Sequence, residues 1–289
     1  MGQNPDRPRR SDDSGRREQA GGPSRGGSGR GGWRPDGPRN DARRAPHALG
    51  GPPRERLAPR PVEPDLPEEV QAAALDNEVR RDLLSLDKAN ADAVARHLVM
   101  AGALVDDDPQ LALTHARAAR DRAGRIAAVR EAVGIAAYHA GEWAEAIAEL
   151  RAARRMAGGP GLVAVLADCE RALGRPERAL ELGRSAEARA LTADGATELR
   201  IVLAGARRDL GQVDAAVVML QTPELDEART GTPAARLFYA YADTLLAAGR
   251  REDALRWFLS AARADLDGET DAEERLDELG GNPRADDEP

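Results

Sequence analysis

The sequence predicts an all-α protein built from stacked helix pairs, and three observations carry the prediction. Aromatic residues make up 3% of the 289 and hydrophobic residues 41%, so a core must be assembled from Ala, Leu and Val. Such a core suits close helix-on-helix packing better than a sheet. From about residue 90, apolar residues recur at helical spacing, and no segment alternates with period two. Gly141, Gly174, Gly211 and Gly249 each close an apolar segment ahead of a polar pair and a second helix, at separations of 33, 37 and 38 residues. A glycine there suits a left-handed C-terminal cap, and the near-constant separation marks an internal repeat.

Residues 1–62 come first and differ from the rest. They hold 14 arginines against 7 acids, a net +7, together with 10 of the 19 prolines and 12 of the 29 glycines. So little apolar surface cannot offset the entropy of ordering, and a disordered basic arm is expected. The remaining residues carry a net −15. Met1-Gly2-Gln3-Asn4-Pro5-Asp6 leads into charges instead of an apolar stretch, so no cleaved signal is read there. Cys169 is the single cysteine, which excludes an internal disulfide, and no apolar run reaches the roughly 20 residues of a membrane span. The cytoplasm is the expected compartment.

Residues 63–89 read as N-terminal capping helices, with Leu66-Pro67-Glu68-Glu69-Val70 as a helix start and further turns to Leu86. Residues 90–264 form the repeat domain. Five residues after each turn glycine stands an alanine, at Ala146, Ala179, Ala216 and Ala254; Ala112 holds the equivalent place in a copy without the glycine. A larger apolar residue follows in the best copies, at Leu150, Leu220 and Phe258, and another alanine at Ala119, Ala153, Ala186 and Ala261. On the first helix of each pair an apolar and a small residue recur, as Val133-Gly134, Leu166-Ala167, Leu203-Ala204 and Tyr241-Ala242. Small residues at such places let two helix axes approach. Trp143, Trp257 and Phe258 are read as core. Residues 268–280 form a C-terminal capping helix with Leu276 and Leu279 inward, and 281–289 an acidic disordered tail.

This layout resembles the tetratricopeptide repeat, a helix–turn–helix unit of about 34 residues. The best copy runs from Val133 to Ala146, with Trp143 at the aromatic position after the glycine, and the last copy, Phe238 to Ala261, matches nearly as well. Gly183 stands where a large apolar residue is expected and Pro223 where a second small one is, and the longer spacings place extended connections around 187–196 and 222–233. The arginine-for-lysine bias and the Arg/Gly/Pro-rich arm resemble those of tetratricopeptide proteins from high-GC actinobacteria. The resemblance implies a right-handed α-solenoid of about five units with a disordered N-terminal arm. It also implies a non-catalytic scaffold that binds a peptide or partner protein through the concave face. In that family the contacts come from the first helix of each pair. The matching positions here hold Glu131, Ile135, Tyr138 and His139, then Asp168 and Arg171, then Arg208, and in the last copy Tyr239 and Asp243. Acids at two of these places speak against a clamp for an acidic C-terminal peptide.

No catalytic arrangement emerges. Gly27-Ser28-Gly29-Arg30-Gly31-Gly32 fits a dinucleotide fingerprint but lies in the arm, without a strand before it or a helix after it. The four histidines fall in different units without zinc spacing. Asp168 and Glu170 beside Cys169 would raise its thiol pKa, giving an inert residue. No cofactor, metal or membrane is expected. A second reading rests on the arm: Arg25, Arg30 and Trp33 lie in segments resembling the RGG stretches that bind RNA by charge and stacking.

Overall fold

The computed structural model describes residues 63–280, and among them every regular element is helical. Both the arm, 1–62, and the tail, 281–289, lie outside the described residues. The α-helices are α1 (Asn77–Asp82), α2 (Lys88–Leu104), α3 (Pro109–Ala123), α4 (Ala127–His139), α5 (Trp143–Ala157), α6 (Val163–Ala172) and α7 (Pro176–Leu182). They continue with α8 (Ala186–Arg189), α9 (Ala193–Asp209), α10 (Val213–Leu220), α11 (Thr232–Ala247), α12 (Arg251–Ala264) and α13 (Ala272–Gly280). No helix among the described residues is long and apolar enough to cross a membrane.

Five consecutive pairs account for most of the packing: α2 with α3, α4 with α5, α6 with α7, α9 with α10, and α11 with α12. First helices also touch one another, α2 against α4, α6 against α9 and α9 against α11, while α13 covers α12.

One turn is used four times. Gly141, Gly174, Gly211 and Gly249 adopt φ between 70° and 75°, a region open to glycine at little cost. In each case the glycine N–H donates to the carbonyl three residues back, and the next N–H reaches five residues back. Thus Gly141 donates to Tyr138 and Glu142 to Ala137, and the same pattern recurs in the other three copies. These two bonds satisfy carbonyls that the helix end would otherwise leave without a partner. The first pair lacks the glycine. There Asp108 caps α3 by accepting from the Leu111 N–H at 3.0 Å, and Pro109 takes the first helical position.

The small residues are where the pairs close. Ala112, Ala146, Ala179, Ala216 and Ala254 are all fully buried, as are Ala167 and Ala242. A side chain on Gly134 would meet the Leu150 side chain at 2.5 Å and its backbone nitrogen at 3.2 Å, so that crossing admits glycine alone without movement. Phe258 is fully buried, and Trp143 and Trp257 pack half-buried against the cores of their own pairs. Gly183 falls short of a large residue, and Leu203 of α9 occupies the space. Buried Glu149 joins three helices, accepting from Arg120 of α3 at 2.9 Å and Arg130 of α4 at 2.7 Å.

Three sequence expectations need correction. Leu66–Val70 forms a turn, not a helix start, and the capping region holds one six-residue helix flanked by 3-10 turns at Ala72–Ala74 and Leu83–Ser85. The reason lies in Arg96, whose guanidinium donates hydrogen bonds to the carbonyls of Leu66, Pro67 and Val70, leaving the segment non-helical. Ala186 is exposed in the short α8, because α7 ends at Leu182 before a second small residue can face the pair. His97 and His115 belong to one pair, α2–α3, and touch: their Nδ1 atoms are 3.0 Å apart and both rings are buried.

Candidate functional site

The first helices line two separate clefts where the sequence suggested one continuous groove. The smaller, of about 250 Å³, lies between α2 and α4. Leu98 and Ala101 of α2, with Val105 just past its end, face Ala128, Ala132 and Ile135 of α4 across it, and Leu75 and Val79 close one end. Both sets follow the three- and four-residue spacing of one helix face. Glu131, exposed, is the one acid lining this apolar cleft. The larger cleft, of about 700 Å³, lies between α9 and α11 and is bounded by the loop before α13. Arg171, Arg208, Tyr239 and Asp243 line it.

Ion pairs hold the charged walls of the larger cleft. Arg208 donates to Asp243 at 2.6 Å, linking α9 to α11, and Arg275 of α13 stands 3.7 Å from the same carboxylate. Arg171 donates to Asp168 at 2.8 Å and to Asp209 of α9 at 2.8 Å. Its head group crosses directly over Gly205, where a Cβ would come within 2.5 Å of the guanidinium carbon. Arg236 pairs with Glu198 at 3.0 Å. Burial raises the Glu198 carboxyl above its ordinary value, against the pull of Arg236. The Tyr239 hydroxyl is likewise raised, first by burial and then by the Asp271 and Asp243 carboxylates. The result is a cleft of matched charge with one phenol on its wall, able to orient a mixed-charge ligand by hydrogen bonds.

Tyr138 and Asp168 serve a different purpose. The Tyr138 hydroxyl donates to Asp168 at 2.7 Å, tying α4 to α6, and burial with this carboxylate raises the tyrosine pKa. Neither residue lines either cleft. His139 is exposed, with its Nδ1 3.6 Å from Asp106 in the turn between α2 and α3, so it belongs to a third locality. Arg25, Arg30 and Trp33 lie outside the described residues.

Sequence reasoning passed over Ile201, Gly205 and Arg236, all in the larger cleft. The first two stand ten and six residues before Gly211, the same register that picked out Tyr239 and Asp243 before Gly249. An aliphatic residue and a glycine do not look like contacts, although the register named them.

Cys169 is fully buried in the α4–α5–α6 core. Burial, then the neighbouring Asp168 and Glu170, push its thiol up to about 12, far from a reactive thiolate. No family model matches the chain, and no curated protein sequence matches it.

Proposed function

We propose that the chain is a non-catalytic scaffold of tetratricopeptide-like helix pairs, arranged as a solenoid. Its first-helix face holds a peptide segment or a partner protein. The observation that carries this reading is the cleft between α9 and α11. Four of the nine positions that the resemblance marks as contacts converge there, from three copies of one turn geometry.

A rigid receptor made of preformed helices loses little entropy on binding, so modest contacts suffice. Matched ion pairs along the walls fix side-chain orientation in advance, and a ligand exchanges hydrogen bonds with groups already in place. The partner is read as a peptide with both charges, because three arginines and three acids line the same cleft.

Affinity capture with the full-length chain from a lysate of its native source, with and without nuclease, tests the reading. The same protein recovered under both conditions supports the scaffold. Recovery abolished by nuclease would replace it with the RNA-associated reading based on Arg25, Arg30 and Trp33.

A further inference from the structure

We propose a second docking site at the N-terminal end of the helix stack, one that accepts an acidic amphipathic helix of a partner protein. A cleft of about 510 Å³ opens along the outer face of α2. Ala91 and Ala95 form its floor and Leu83 and Leu84 its wall. Leu84 is 80% exposed, the most exposed large apolar side chain among the described residues. An aliphatic side chain held in water beside an apolar floor marks a surface that gains by being covered.

The shape indicates what covers it. Lys88, Ala91, Asp92 and Ala95 stand at i, i+3, i+4 and i+7, one stripe of α2 spanning two helical turns. Within the stack such stripes receive another helix; among the described residues this one receives only the 3-10 turns at Ala72–Ala74 and Leu83–Ser85, which bury Ala95 and leave Leu84 in water. An arriving helix of two or more turns with leucine-like residues at the same spacing completes the layer.

Charge indicates its sign. Arg80, Arg81 and Lys88 rim the cleft against one acid, Asp92, in a protein of net charge −8. Among the described residues none of the three cations is in an ion pair; Arg80 donates only to the Asn77 side chain. Acidic flanks on the incoming helix satisfy all three. Two sources within the chain fit poorly. Residues 1–62 carry a net positive charge, the same sign as the rim. Helix α13 is acidic, but its leucines, Leu276 and Leu279, already pack into the core under α12, so a second copy offers no apolar anchor. The proposal is independent of the α9–α11 cleft.

Two fluorescent helical peptides of about 14 residues test it by anisotropy with the full chain. Both carry leucines at i, i+3, i+4 and i+7; one has glutamate flanks and the other lysine flanks. The acidic peptide is expected to bind saturably and the basic one not. Leu84→Asp should weaken binding about tenfold or more, with an unchanged circular dichroism melt because Leu84 is already in water. Arg81→Glu with Lys88→Glu should reverse the preference between the peptides. Three results would overturn the proposal: no saturable binding of the acidic peptide, equal binding of both, or affinity unmoved by Leu84→Asp. Each leaves the reading of the α9–α11 cleft standing.

Discussion

Gly205 shows at the scale of one residue how backbone and site chemistry meet. It has no side chain because the Arg171 guanidinium lies across it on the way to Asp209. Replacing it by alanine gains about 1 kcal/mol of helix propensity. The displaced ion pair is 27% and 39% exposed on its two partners, and a pair of that kind is worth about 0.2–1 kcal/mol. These terms nearly cancel. Gly205→Ala should therefore melt within a few degrees of the unsubstituted protein while losing captured partner, since Arg171 no longer sits where the cleft needs it. A large fall in melting temperature, or unchanged capture, contradicts this. Cys169 gives a second prediction at this scale. Buried, and with its pKa near 12, the thiol should react with a thiol reagent at pH 8 only as fast as the core opens. Rapid labelling of the native chain would place it elsewhere.

Helix pairs are the scale at which the sequence was most legible. Turn glycines, buried alanines and apolar-small dipeptides are local and periodic, so the helix-pair pattern follows from spacing alone. What could not be read were contacts that depend on a distant side chain. Nothing in Leu66–Val70 announces that Arg96, 26 residues beyond Val70, takes its carbonyls. Nothing in the spacing of His97 and His115 says that their rings meet. The same holds for Tyr138 and Asp168, which bind each other between α4 and α6 and line neither cleft. A paired substitution tests the register at this scale. Gly102, exposed near the end of α2, has nothing within 4 Å of a new Cβ, whereas Gly134 has Leu150 at 2.5 Å. Gly102→Ala should stabilise by up to about 1 kcal/mol. Gly134→Ala should destabilise, because overpacking of about 1–3 kcal/mol outweighs the same propensity gain. Thermal melts of both decide it, and equal shifts would contradict the packing described.

For the whole molecule, the buried histidine pair contributes one part of the response to acid. Two Nδ1 atoms 3.0 Å apart can share one proton but not two, and burial lowers both pKa values, with each ring's charge opposing the other at His97. Glu63 and Arg122 also face the His97 ring and pull in opposite directions. Because the folded values lie below the ordinary 6.5, the unfolded chain takes up more protons just below that pH. The pair's contribution to stability is therefore complete above about 6.5 and falls as pH drops from there toward the folded values. His97→Gln with His115→Gln should flatten that part of the melting-temperature profile, and an unchanged slope would assign the acid response to other groups. The central claim concerns the first-helix face, and site-specific photocrosslinking tests it most directly. A photoreactive residue in place of Tyr239, in the α9–α11 cleft, is compared with one in place of Val218, which is 67% exposed on the second helix α10. The captured partner is expected to crosslink at 239 and not at 218. Crosslinking at 218 with none at 239 would contradict it.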